Sequence, residues 1–238
     1  AWVRLAQVPQ EFDAIAPLAV EALEALEAAG DDVAAAKFID AAAELAERAG
    51  RPHLLATLFE GDQGVVRAER LVVAGVAAKP RYLPALQALL FGNVKVSLRP
   101  KVVQAIALQG EKALNRLLEQ LPGANASAAQ AILEVASLVN PVRALALCRD
   151  ELRLSNDAHR IAAIRTLALM VPDDGALKLL DQVAGVDHDK GAAAATRLDP
   201  KKDFEVMQGL MLAALRALGE TRQSASVSVL EQVLHWKK

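Results

Sequence analysis

The sequence predicts an all-α fold of repeated helix pairs behind an N-terminal helical hairpin, and three observations predict it. Ala (49) and Leu (37) together supply 86 of the 238 residues, and both lose little side-chain freedom in a helix. Only eight residues are aromatic and one is a cysteine. Short leucine-rich segments also recur along the chain in one helical phase. The length allows one or two domains with a substantial core. The composition excludes a disulfide scaffold, a collagen-like chain and a disordered tail.

Residues 1–61 read as the hairpin. Phe12, Ile15, Ala19, Leu23 and Leu26 recur at helical spacing, as do Phe38, Ala42, Leu45 and Ala49. Asp13 and Asp31 or Asp32 supply N-caps, and Gly30 and Gly50 supply stops. Pro17 lies near enough to the start of the first helix to be tolerated. Such an Ala-rich pair caps the open end of a stack of helices.

Residues 62–238 carry the repeats. Leu117-Leu118-Glu119-Gln120-Leu121, Leu147 to Leu152, Leu179-Leu180-Asp181-Gln182-Val183 and Val229-Leu230-Glu231-Gln232-Val233 align. The first and third lie 62 residues apart with the second near the midpoint, a period of about 31 that suits a helix–turn–helix unit. The third and fourth lie 50 apart, which places an insertion at 185–203. Gly110, Asn140, Pro172 and Gly219 fall at the turns, where Gly or Asn supplies a left-handed C-cap and Pro ends a helix. The predicted pairs are 97–109 with 111–121, 126–139 with 142–153, 157–171 with 174–184, and 204–218 with 224–236. An earlier pair, 64–78 with 83–91, fits more loosely. Pro84 and Pro100 then fall in first helical turns. Asn125 or Ser127, and Asp173 or Asp174, are the expected N-caps.

The run Gly110-Glu111-Lys112-Ala113-Leu114-Asn115-Arg116-Leu117-Leu118-Glu119-Gln120-Leu121 resembles the second helix of a bacterial HEAT-like repeat. Leu212-Ala213-Ala214-Leu215-Arg216-Ala217-Leu218-Gly219 resembles the end of a first helix. The resemblance covers roughly 64–238 and implies a right-handed α-solenoid. The Asp and Arg that often form a polar ladder in such repeats are irregular here. A tetratricopeptide-like array is the alternative, but its Trp, Tyr and Pro signature is absent.

Charge is nearly balanced at −2 but unevenly placed. Residues 1–61 hold 4 basic and 11 acidic groups, and 65–116 hold 9 basic groups against Glu69 and Glu111. Solvated helix faces or a charged docking surface both account for this. The longest apolar run, Leu71 to Ala78, is interrupted by Gly75 and is too short for the roughly 20 residues of a membrane span. The chain opens Ala1-Trp2-Val3-Arg4, without an initiator Met or an apolar signal segment, so a processed chain or part of a longer one is expected. The single Cys148 permits no internal disulfide, reads as a buried small side chain and suits the cytoplasm.

No phosphate-binding glycine pattern, zinc-protease motif or nucleophile elbow occurs. His53, His159, His188 and His235 are scattered without ligand spacing, so neither a metal nor a cofactor is expected. Asp187-His188-Asp189-Lys190-Gly191 superficially resembles the start of a calcium loop. Its glycine comes one place early, and Leu198 stands where a bidentate Glu belongs, so it reads as a polar loop. The Ala192 to Ala195 run beyond it suits mobility or a short extra helix, and an insertion in a repeat array is a natural interaction element. The acid pairs Asp150-Glu151 and Asp173-Asp174 do not share a helix face and read as caps or surface.

The expected function is a non-enzymatic scaffold or adaptor. It binds a protein on the face lined by second helices, through Lys112, Arg116, Arg149, Arg153 and Lys178. The alternative is nucleic-acid phosphate-backbone binding through Arg67, Arg70, Arg99 and Lys101, with only Tyr82 and Phe91 nearby to stack on bases. Phycobilin-lyase-type enzymes, also built from HEAT-like repeats, are a remote third expectation from the resemblance; no residue here carries their chemistry.

Overall fold

The computed structural model describes residues 12–48, 50, 58, 64, 66–67, 79–91, 99–154, 156–185, 191–199, 201–224, 226–227 and 230–231. The chain is all-helical there, with no strand among the described residues. Residues 1–113 and 114–238 form two compact units. The expected boundary at 61/62, most of the helix 64–78 and much of 224–236 lie outside the described residues.

In the first unit, α1 (Phe12–Ala28) packs on α2 (Asp32–Arg48). The turn between them uses Gly30 at φ 71°, and Asp31 Oδ1 accepts the Ala34 amide at 2.9 Å. Asp13 lies inside α1 rather than capping it, because the helix already runs at Phe12. The buried stripe of α2 is Ala35, Ile39, Ala43 and Ala46, one residue out of phase with the expected Phe38, Ala42 and Leu45. Phe38 and Leu45 flank this stripe half-buried. A 3₁₀ turn, Pro80–Tyr82, packs on α2 and on α3 (Leu83–Phe91), and α3 packs on α4 (Arg99–Ala107). Pro84 and Pro100 are the second residues of α3 and α4, where a missing amide costs no helical hydrogen bond.

Helix α5 (Glu111–Leu118) crosses the division between the units. The second unit then holds α6 (Ala126–Val139), α7 (Pro141–Leu152), α8 (Asp157–Met170), α9 (Asp174–Ala184), the short α10 (Gly191–Thr196) and α11 (Phe204–Thr221). Helix α8 is its centre and packs on α6, α7, α9 and α11. Helix α6 also meets α7, and α9 meets both α7 and α11. Its core holds Ile132, Leu133 and Val135 of α6, Cys148 and Leu152 of α7, Ile164 and Leu167 of α8, Leu180 and Val183 of α9, and Ala214 and Leu218 of α11.

The recurring segments explain themselves in this arrangement. Leu117 and Leu121, Cys148 and Leu152, and Leu179, Leu180 and Val183 are buried, while Glu119, Gln120, Arg149, Asp150 and Gln182 between them face solvent. Side-chain caps start the helices: Asn125 accepts from Ala128 N, Asn156 from Ala158 N and Asp173 from Ala176 N, at 2.9, 3.0 and 2.9 Å. Gly185 ends α9 at φ 75°, and Gly175 lets α9 approach α7, since a methyl there would fall 2.5 Å from Leu145 Cδ2. The expected insertion contains α10, packed on α7, α9 and α11.

Two turns differ from expectation. Asn140 is extended at φ −151° rather than left-handed: its amide closes α6 on Ala136 O, and its side chain opens α7 by accepting from Arg143 N. One residue thus ends one helix and begins the next. Gly219 lies within α11, which continues to Thr221 and is stopped by Arg222 at φ 52°. Asn140→Ala is expected to cost about 1 kcal/mol, as loss of a side-chain cap generally does, checked by urea unfolding of the intact chain.

Candidate interaction surfaces

Pro141 at the first position and Asn140 as cap fix the start of α7, and therefore the direction of its outer ridge. Val142, Ala146, Arg149 and Arg153 follow at helical spacing and are all exposed, Val142 at 82%. Lys178 is exposed on the adjacent α9, and Lys112 and Arg116 are exposed one turn apart on α5. Among the described residues, none of these five basic side chains makes an ion pair or a hydrogen bond.

The second expected set behaves differently. Arg67 is buried at 1% exposure and turned inward. Its Nε and Nη2 donate to Glu27 at 2.9 and 2.8 Å, and Nη1 donates to the Leu58 carbonyl at 3.0 Å. A guanidinium spent on a carboxylate is not presented to a phosphate. Arg70 lies outside the described residues. Arg99 and Lys101 sit half-buried in the first turn of α4, and each already holds a partner.

Lys79 and Arg81 of the first unit are also paired with the acidic hairpin. Lys79 Nζ donates to both Asp40 oxygens at 3.0 and 2.8 Å, Tyr82 Oη donates to Asp40 at 2.8 Å, and Arg81 lies 3.7 Å from Glu44. Burial pushes the Asp40 carboxyl up, but the hydrogen bonds from Lys79 and Tyr82 and the charges of Lys79 and Arg81 outweigh it and hold it below 3.8. Burial, then the bond to Asp40, raises the Tyr82 hydroxyl above its ordinary 10.0. A depressed acid stabilises the fold above its unfolded value and loses that contribution as pH falls through the folded one. Acid titration of stability below about pH 4 is therefore expected to be steeper for the native chain than for Asp40→Asn, which unfolding midpoints at stepped pH would show.

Of the histidines, only His159 is described, and it is buried. Its Nδ1 lies 2.6 Å from Glu151 Oε2 and its Nε2 lies 2.8 Å from the Ala124 carbonyl, tying the start of α8 to the end of α7 and the turn before α6. Asp150 faces out while Glu151 is buried. Asp173 is a cap and Asp174 is exposed. Among the described residues no three His, Cys, Asp or Glu side chains are grouped to hold a metal ion. Asp187 to Lys190 lie outside the described residues, and Gly191 begins α10. Burial, then the charge of Glu151, pushes the Cys148 thiol up to about 12, far from a reactive thiolate.

Sequence reading did not find one further feature. A cleft of about 240 Å³ lies across α6, α8 and α11, lined by Gln130, Glu134, Arg165, Ala168, Leu169, Ala217, Glu220 and Thr221. Gln130 Nε2 donates to Glu134 Oε1 at 2.6 Å, and Arg165 Nη1 donates to Gln130 Oε1 at 3.3 Å. These residues are spread over more than 90 positions, and only the packing of three first helices brings them together. Burial holds the carboxyl of Asp181 above 3.8, but Asp181 does not line this cleft.

Compared with known proteins, the chain matches no family, no curated protein and no solved structure.

Proposed function

We propose that the chain is a non-enzymatic interaction scaffold, a right-handed HEAT-like solenoid of stacked helix pairs that binds a protein partner on its second helices in the cytoplasm. The packing order supports the stack: in the second unit α6, α8 and α11 follow one another as first helices, with α7 and α9 as their seconds. The observation that carries the binding reading is the outer ridge of α7. It combines an almost fully exposed valine with two arginines that have no ion-pair partner among the described residues, and Lys178 is exposed on α9, which packs on α7. Apolar contact and charge side by side are what a polar-rimmed protein interface uses. No described helix is long and apolar enough to cross a membrane. The phosphate-backbone reading has lost Arg67 to Glu27.

The test is affinity capture from the source lysate with nuclease present, at low and moderate salt, using the native chain and Arg149→Glu/Arg153→Glu. A protein retained at moderate salt by the native chain and lost by the variant is the expected result. Equal retention by both overturns the assignment of α7. Recovery of nucleic acid alone when nuclease is omitted, weakening steeply with salt, overturns the scaffold reading in favour of phosphate binding.

A further inference from the structure

We propose that His159 and Glu151 form a proton-operated latch on the end of α7, closed while the pair holds its proton and opened as rising pH removes it. The hydrogen-bond geometry requires that proton. His159 Nε2 lies 2.8 Å from the Ala124 carbonyl, which only accepts, so Nε2 carries a hydrogen. Nδ1 lies 2.6 Å from Glu151 Oε2. A carboxylate oxygen also only accepts, so a second hydrogen lies between these two atoms. A neutral imidazole has one N–H. The extra proton belongs to the pair, whether written as imidazolium with carboxylate or as imidazole with carboxylic acid.

Burial makes the proton matter. Both residues are buried, and beyond these two contacts neither side chain has a hydrogen-bond or ion-pair partner among the described residues. The neighbouring charge on α8 is spent elsewhere: Arg160 Nη1 donates to Asp157 and its Nε to the Leu152 carbonyl. On α7, Cys148 stands one turn before Glu151, and its thiol, raised to about 12 by burial and then by that carboxylate, keeps its hydrogen. The turn before α6 offers the ring only the Ala124 carbonyl, and no titratable side chain of α6, α9 or α11 bonds to either residue. Removing the shared proton leaves a buried carboxylate facing a nitrogen lone pair. A buried charge stripped of its one donor is costly, and separating the two groups relieves that cost.

The parts that separate are defined by the same contacts. They join the end of α7, the start of α8 and the turn before α6. Past Glu151 the chain leaves α7 with Arg153 N on Asp150 O and Leu154 N on Glu151 O, at 3.0 and 3.2 Å. These two amides report the state of the latch. The other buried ion pair, Arg67 with Glu27, cannot work this way, because a guanidinium keeps its proton. Histidine is the side chain whose charge changes nearest neutrality.

The experiment follows the His159 ring nitrogens and the Arg153 and Leu154 amides by NMR in the intact chain, from acid to alkaline pH, beside Glu151→Gln. The native chain is expected to show two ring N–H protons while the latch is closed. As pH rises the Nδ1 proton is lost, and both amides shift in one transition that matches it, since the link is present with the proton bound and gone without it. A glutamine side chain accepts from a protonated ring and donates to a neutral one. In Glu151→Gln the ring is therefore expected to lose its proton while the two amides stay in place. A single ring N–H in the native chain at every pH, loss of the Nδ1 proton without movement of the amides, or the same amide transition in Glu151→Gln each overturns the proposal. The native spectra alone decide the first two, whether or not the variant folds.

Discussion

Arg67→Met is expected to destabilise the first unit by about 3–5 kcal/mol, the cost of stripping one partner from a buried ion pair. Arg67 is 1% exposed, and its side chain reaches from residue 67 back to Glu27 on α1 and to the Leu58 carbonyl. Without it, a carboxylate side chain only 12% exposed keeps its charge and loses its bidentate donor. The Leu58 carbonyl loses a donor at the same time. Urea unfolding of the intact chain, read by circular dichroism, is expected to show an early transition absent from the native protein. Converting both partners, Arg67→Met with Glu27→Leu, is expected to recover most of the loss, because apolar packing replaces a buried pair at little net cost. A single-variant effect below about 1 kcal/mol would mean that water reaches the pair and screens it, as at a surface.

Ile164→Ala is expected to cost about 4 kcal/mol, in the upper part of the range of about 2–5 for such truncations. Ile164 is fully buried on α8, the helix that packs on α6, α7, α9 and α11. A cavity collapses cheaply when one wall is free to move, but the helix that carries this site is held by four others. Leu169, on the same helix but 65% exposed, is the control: Leu169→Ala is expected to change stability by less than about 0.5 kcal/mol. Comparable losses at the two positions would contradict the central place of α8.

Much of the helix layout was legible because its signals are local. Asn125 or Ser127 and Asp173 or Asp174 are the expected caps, of which Asn125 and Asp173 open α6 and α9, and the leucine phase of 117–121, 147–152 and 179–183 marks the buried faces. Where one residue type serves two roles, the reading slipped. Asn140 has the chemistry of a left-handed stop and of a side-chain cap, and the neighbouring Pro141 settles the choice by starting a helix at once. Gly219 lies inside α11, where a Cβ would meet nothing within 4 Å, so nothing at this position requires a glycine or a turn. On α2, helical spacing pointed to Phe38, Ala42 and Leu45, whereas the buried stripe runs one residue later, through Ile39, Ala43 and Ala46.

The surfaces were less legible, for a physical reason. Whether a cation is free depends on the carboxylate it meets, and that carboxylate is often far away in sequence. Arg67 and Arg149 look alike along the chain; one finds Glu27 forty residues back, and the other has no partner among the described residues. The cleft needed three helices from 130 to 221 before it existed at all.

The turn at Asn140 leaves no slack. Its amide, its side chain and its carbonyl are each bonded, to Ala136, Arg143 and Ala144, across the junction of two helices. One inserted residue would turn the whole of α7 by about 100° about its axis and carry Arg149 and Arg153 off their ridge. Length variation in this unit has to be absorbed away from this junction. Related sequences are expected to keep the spacing around Asn140 to the residue.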